Sequence, residues 1–195
     1  DFKFTFNVGT TVNEIRYYTT TNPYYGFGAE QNGTVTMYHY RTTTLNLQQI
    51  LNYSHNFGKH NISVMLGHES YKYNYAELSA SKKNMFSYWG NHELNGAVID
   101  GSSAASYSND YNTEGYFFRA LYDYDAKYYF SASYRRDASS RFHPDHWWGN
   151  FYSVGGAYLM SKEDWFDVKW IDMLKIKFSI GQQGNDNIGS YNYTD

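Results

Sequence analysis

Between Gly115 and Phe142 the chain reads GYFFRALYDYDAKYYFSASYRRDASSRF, with Tyr or Phe at nearly every second position on either side of a polar turn of about three residues. Successive strand side chains point to opposite faces, so this is a hairpin with one aromatic face. That face carries Tyr116, Phe118, Ala120, Tyr122, Tyr124, Tyr128, Phe130, Ala132 and Tyr134. The other carries Arg119, Asp123, Ser131, Ser133, Arg135 and Asp137. A soluble sheet would bury the aromatic face and would owe each tyrosine hydroxyl a partner. A membrane sheet would turn it to lipid, with tyrosines at the two interfaces and the polar face toward a lumen. About 9–11 tilted residues cross a bilayer, and each arm of the hairpin is long enough.

The same period of two recurs elsewhere. Phe2, Phe4, Phe6, Val8 and Val12 oppose Lys3, Thr5, Asn7, Thr11 and Asn13. A second strand sets Leu45, Leu47, Leu51, Tyr53 and Phe57 against Asn46, Gln48, Asn52, Ser54 and Asn56; after a tight turn at 58–60, a third sets Ile62, Val64 and Leu66 against Asn61, Ser63 and Gly67. Strands follow around 151–160 and at Leu174–Ile180. This predicts about seven strands. Segments 17–33, 78–112 and 139–150 read as long loops, with one or two helical turns in AELSASKKNMFSYW, and 162–172 as a short helix or compact turn. The long loops then fall on one rim and the short connections on the other, as in an outer-membrane barrel.

Composition narrows the classes. Aromatics make up 21% of the residues while mean hydropathy is −0.71, which fits strands whose two faces differ sharply. No run approaches the roughly 18 apolar residues of a membrane helix, and DFKFTFNVG is no signal peptide. A formal charge of −3 without a basic stripe argues against nucleic acid. The absence of Cys excludes disulfides and cysteine metal sites. No ordered nucleophile, base and acid and no paired carboxylates point to an enzyme, and no cofactor or metal is expected. GQQGNDNIG, with Gly181, Gly184 and Gly189, lacks the Lys-Ser/Thr of a phosphate loop and reads as a strand end. Starting in an alternating strand and stopping at GNDNIGSYNYTD without a capping element, the chain reads as a piece of something longer.

Four spaced blocks, YDYDAKYYFSASYRRDASSRF, WWGNFYSVGGAYLMSKEDWF, LKIKFSIGQQGNDNIGSY and, more loosely, ILNYSHNFGKHNISVMLGHE, resemble SusC/RagA-type TonB-dependent transporters of Bacteroidetes outer membranes. The likeness is carried by Arg119, Tyr122, Tyr124, Lys127 and Tyr128, by Arg135, Asp137 and Ser139–Phe142, by Trp148, Gly149 and Phe151, and by Leu174, Lys175, Gly181, Gly184 and Asn185. Tyr158 stands where Trp is usual and Lys177 where Arg is usual. The resemblance implies an all-β transmembrane antiparallel barrel, of which residues 1–195 would be an arc of about seven strands out of roughly 22, without the plug and TonB box. It implies active import of glycans or peptides across the bacterial outer membrane with TonB-derived energy, beside a SusD-like surface lipoprotein and the TonB complex. From the residues alone, a soluble or surface all-β carbohydrate-binding module and a passive porin-like barrel stay open.

Candidate site residues follow the two faces. Arg119, Asp123, Arg135, Asp137, Ser139, Ser140 and Arg141 are candidate lumenal or motif residues, whose charges either grip a ligand or pair with one another across strands. Tyr24, Tyr25, Trp147 and Trp148 are loop aromatics suited to stacking on a solute or to anchoring at the interface, and interface anchoring is the better reading of Trp148. His143 and His146 of HPDH lack a third ligand for a metal.

Overall fold

A computed structural model of the chain describes residues 1–90 and 92–188; Gly189 of the GQQGNDNIG stretch lies outside them. The strands are β1 (Phe2–Thr21), β2 (Thr34–Phe57), β3 (His60–Met85), β4 (Ala97–Tyr124), β5 (Tyr128–Ser139), β6 (Trp148–Leu159) and β7 (Lys175–Gly181). Each is hydrogen-bonded to its neighbours in sequence, in the single order β1 to β7. The chain divides into two compact units: Asp1–Gly9, Leu45–Lys72 and Tyr111–Asp195 form the first, Thr10–Thr44 and Tyr73–Asp110 the second.

In the first unit the register aligns the alternation of several strands into faces. Tyr116, Phe118, Ala120, Tyr122 and Tyr124 of β4 oppose Arg136, Tyr134, Ala132, Phe130 and Tyr128 of β5. Tyr134, Ala132, Phe130 and Tyr128 in turn oppose Tyr152, Val154, Gly156 and Tyr158 of β6, and Val154, Gly156 and Tyr158 oppose Ile180, Phe178 and Ile176 of β7. Tyrosines therefore cluster at both ends of this face, and Phe, Ala, Val, Gly and Ile fill the band between. At the turn end Tyr128 and Tyr158 stack 4.9 Å apart. The band is bare: Phe130 is 57% exposed and Phe178 65%. The buried hydrophobic core among the described residues is only Val35, Met85 and Ala97, all in the second unit. A water-soluble sheet covers such a face with a second layer; an outer-membrane barrel leaves it to lipid.

Two tight turns set the hairpins. In the β4–β5 turn, residues 125–127, Asp125 and Ala126 are both left-handed, at φ 54° and 49°, the hand that matches the twist of the flanking strands. The Lys127 amide closes it on the Tyr124 carbonyl at 3.0 Å. Gly58, at φ 61°, plays the same part between β2 and β3. Lys59 Nζ reaches Asp125 Oδ2 at 2.8 Å, joining the two turns. That contact holds the Asp125 carboxyl below its usual range and the Lys59 ammonium above its own.

The strands outrun the sequence expectation. β2, β3 and β4 are 24, 26 and 28 residues long, where about ten suffice to cross a bilayer. Segment 17–33 supplies the end of β1, leaving a connection at 22–33, and 78–112 supplies the ends of β3 and β4, leaving only 86–96. AELSASKKNM is strand, not helix. Outside hydrocarbon neither face must be apolar, so the period vanishes although backbone pairing continues. The 160–174 connection, begun by a 3-10 turn at Met160–Lys162, is longer than any of the three on the opposite rim. The expected asymmetry of loop length therefore holds at 58–59 and 125–127 and fails at 160–174.

Substituting Phe130→Lys is expected to cost about 2–4 kcal/mol near the bilayer midplane, and Ser131→Lys on the other face far less. Reversible denaturant unfolding in lipid vesicles checks this; equal costs would remove the lipid-facing assignment.

Candidate functional site: the inward face of the first unit

Opposite the aromatic band, the first unit shows a face of small and polar side chains. Phe117, Arg119, Leu121 and Asp123 oppose Arg135, Ser133, Ser131 and Tyr129, and these meet Phe151, Ser153, Gly155 and Ala157. Ser133 and Ser153 share a hydroxyl hydrogen bond of 2.7 Å. Small residues keep the floor low, and two open recesses of about 680 and 720 Å³ lie on it.

The recess nearer the turns is lined by Arg119, Asp123, Lys175 and Lys177 among Ser, Asn and Gly. Asp123 accepts from the Asn61 amide at 2.8 Å, and Lys175 lies over the Tyr129 ring at 4.0 Å. Arg119 is exposed. Cations outnumber carboxylates here, so the surface favours anionic or strongly polar groups.

The other recess holds a self-satisfied cluster. Arg135 Nε donates to both oxygens of Asp137 at 2.7 and 2.8 Å, and its NH2 lies 3.5 Å from Glu69. The guanidinium sits 5.3 Å over the Phe117 ring. Two glycines make room: a Cβ on Gly67 would collide with the Phe117 ring, and one on Gly115 with the Asp137 carboxylate. Arg135 and Asp137 thus serve each other first, and with Glu69, Glu114 and Asp186 also lining this recess, carboxylates outnumber cations here.

Ser139, Ser140 and Arg141 fasten the chain. Ser140 exchanges hydrogen bonds with the Asn112 backbone, 3.0 Å each way. Buried Ser139 donates to Asp186 Oδ2 at 2.9 Å, where the Tyr111 hydroxyl also donates at 2.6 Å. Arg141 donates to the Asp186 carbonyl at 3.2 Å and stacks 4.2 Å over Tyr111. The Tyr111 hydroxyl, then Ser139, hold the Asp186 carboxyl below its usual range against the upward push of partial burial. Gly184 leaves space for Phe151. Asp186 went unnoticed in the sequence, where GND read only as a strand end.

The loop aromatics separate by role. Trp148 faces outward, stacked 6.0 Å from Tyr116 and under Arg136. Both tryptophans border the recess, and Trp147 donates its Nε1 to the Phe142 carbonyl at 2.8 Å. His143 Nδ1 accepts from the Asp145 amide at 3.3 Å, capping the 3-10 turn Pro144–His146. Among the described residues no three His, Asp or Glu gather as a metal site.

In the second unit Tyr24 and Tyr25 stand exposed on the 22–33 connection. One face there is a tyrosine ladder: Tyr17 lies 4.7 Å from Tyr38 and 5.9 Å from Tyr40, Tyr40 is 6.2 Å from Tyr75, and Tyr75 is 6.3 Å from Tyr107. Alternate positions carry paired polar groups, Glu14 with His39 at 2.6 Å and Asn74 with Asp110 at 2.7 Å. The i, i+2 spacing of Tyr38 with Tyr40 and of Tyr73 with Tyr75 is the signal that would have found this face.

No protein-family model matches the chain. It is 30% identical over 98% of its length to TonB-dependent receptor P3 of Formosa agariphila, covering 19% of that protein. It is 26% identical over 93% of its length to TonB-dependent receptor SusC of Bacteroides thetaiotaomicron, covering 17% of it. Among solved structures, the RagAB peptide transporter superposes with a TM-score of 0.87 at 26% identity, over 98% of this chain and 22% of that one. The RagAB importer in its closed-closed state gives 0.89 at 25% identity, over 98% of this chain and 21% of that one. The chain thus spans about a fifth of the length of these relatives.

Removing the Asp186 carboxylate with Asp186→Asn is expected to speed amide exchange in 182–188 about tenfold, since hydrogen bonds to a charged group are the stronger kind. Because the folded carboxyl is depressed, the fastening is complete above the ordinary carboxylate value of about 3.9 and is lost only as pH falls through the lower folded value. Hydrogen–deuterium exchange on the variant, and proteolytic nicking of the parent protein across acid pH, check both; equal exchange rates would leave Asp186 without this role.

Proposed function

We propose that this chain, which is similar over nearly its whole length to TonB-dependent receptors and to the RagAB transporter, is one arc of a plugged outer-membrane importer of the SusC/RagA type. The whole barrel has roughly 22 strands, and the plug and TonB box belong to the part of the polypeptide before these residues. The observation that carries this reading is the two-faced sheet of the first unit, apolar and bare on one side, small and hydrogen-bonding on the other. A lone seven-stranded sheet would leave the edges of β1 and β7 unpaired, which hydrocarbon does not tolerate; further strands close them.

The solute is an oligomer, a glycan or a peptide, that meets the small polar floor of the first unit during import. Energy arrives through TonB, and a SusD-like surface lipoprotein covers the mouth. The long β2–β4 hairpins suit that partnership, since they extend well past the length needed to cross. A passive barrel shares the two-faced sheet but needs no energy, which separates the readings experimentally.

The test uses the full polypeptide in outer membranes. Its denatured mass is expected to be several times that of these residues, and the folded protein to run compact on detergent gels before boiling. Solute accumulation is expected to collapse when the proton-motive force is dissipated. Accumulation indifferent to that force would favour the passive barrel, and absence from the membrane fraction would favour a soluble β module.

A further inference from the structure

The outward face of the first unit carries an arginine where the apolar band ends beside the loops. Arg136 opposes Tyr116 on β4 and Asn150 on β6, so it shares the face of Phe118, Phe130 and Val154. It is exposed, and its guanidinium lies 4.9 Å over the Trp148 ring. Trp148 is itself stacked against Tyr116, so the platform under the guanidinium is braced. No ion pair or side-chain hydrogen bond engages Arg136 among the described residues.

The neighbouring groups sharpen this. Glu114, the carboxylate on the same face, is committed elsewhere: it accepts from the Tyr116 hydroxyl at 2.8 Å and lies 3.2 Å from His68 Nε2. Asn150 accepts from the Tyr134 hydroxyl at 2.7 Å through its carbonyl oxygen. Its amide nitrogen therefore remains to donate beside Arg136. A planar guanidinium seated over an indole and a neutral amide donor make a pairing suited to a tetrahedral oxyanion.

Location selects the source of that anion. An arginine turned outward at the edge of an apolar band meets neither lumen nor solute but the lipid headgroups, toward which its stem can extend. We infer that Arg136, braced on Trp148 and flanked by Asn150, is a surface site for the phosphate of a lipid headgroup in the leaflet beside the loops. The site rests on the outer-membrane reading above, and it would anchor the barrel at a fixed depth through one bound lipid.

Native mass spectrometry of the full transporter in detergent, with added lipid A or chemically dephosphorylated lipid A, tests this. The parent protein is expected to bind phosphorylated lipid A about fivefold more tightly than Arg136→Gln does, the weight of one cation near an anionic surface. Arg136→Lys, which keeps charge but loses the planar fork of donors, is expected to fall between. Equal binding by the parent protein and Arg136→Gln, or undiminished binding of the dephosphorylated lipid, would overturn the site. So would full competition by millimolar inorganic phosphate, which would assign a free-ion site instead. Compact migration of Arg136→Gln before boiling shows that the barrel has formed, so loss of lipid binding is separable from failure of the membrane reading.

Discussion

Inside hydrocarbon no water is available to a peptide N–H or C=O, so every backbone polar group in the crossing segment must be paired by protein. A sheet meets that demand through its ladders, and the rest of this molecule follows from it. Once the backbone is satisfied sideways, each strand has one face for lipid and one for whatever lies within. Phe130 and Phe178 on one side and Ser131 and Ser179 on the other are the two solutions written into adjacent positions. The scarcity of buried core among the described residues is then no deficiency. Lipid supplies the surroundings that a second protein layer supplies to a soluble sheet.

The inward face is governed by close approach. Gly67 admits the Phe117 ring, Gly115 admits the Asp137 carboxylate, and Gly184 admits Phe151. These glycines let aromatic and charged groups lie down on the sheet instead of standing off it. Arg135 can therefore rest on Phe117 while Asp137 and Glu69 satisfy it. Arg135 and Asp137 are thus spent on each other, while Arg119 stays exposed beside a floor of serines and glycines.

How much of this was legible depended on whether a residue answers to one environment or two. Between Tyr116 and Tyr134 the alternation is enforced by lipid, and the hairpin, its turn and its faces were readable directly. The two tight turns were readable as well, because Gly58 and the Asp125–Ala126 pair interrupt clean alternation. Beyond the bilayer that enforcement stops, so the outer parts of β3 and β4 looked like loop although their backbones remain paired. Asp186 was hidden for another reason. It lies 47 residues from Ser139 and 75 from Tyr111, and nothing local to GND announces either partner. The tyrosine ladder fell between, with spacing in plain view but spread over segments read as loops.

The uninterrupted order of the sheet, β1 through β7 with every strand beside its neighbour in sequence, bears on how such a structure assembles. No pairing among these strands needs a distant segment to arrive first. The β2–β3 and β4–β5 hairpins can close from their tight turns outward, zipping one pair at a time, at the small loop-entropy cost of joining residues already close along the chain. Growth by addition of successive hairpins keeps only the advancing edge unpaired at any moment. For a protein whose lipid-facing surface would otherwise be an open invitation to aggregate, that sequential order is a kinetic safeguard as much as a topology.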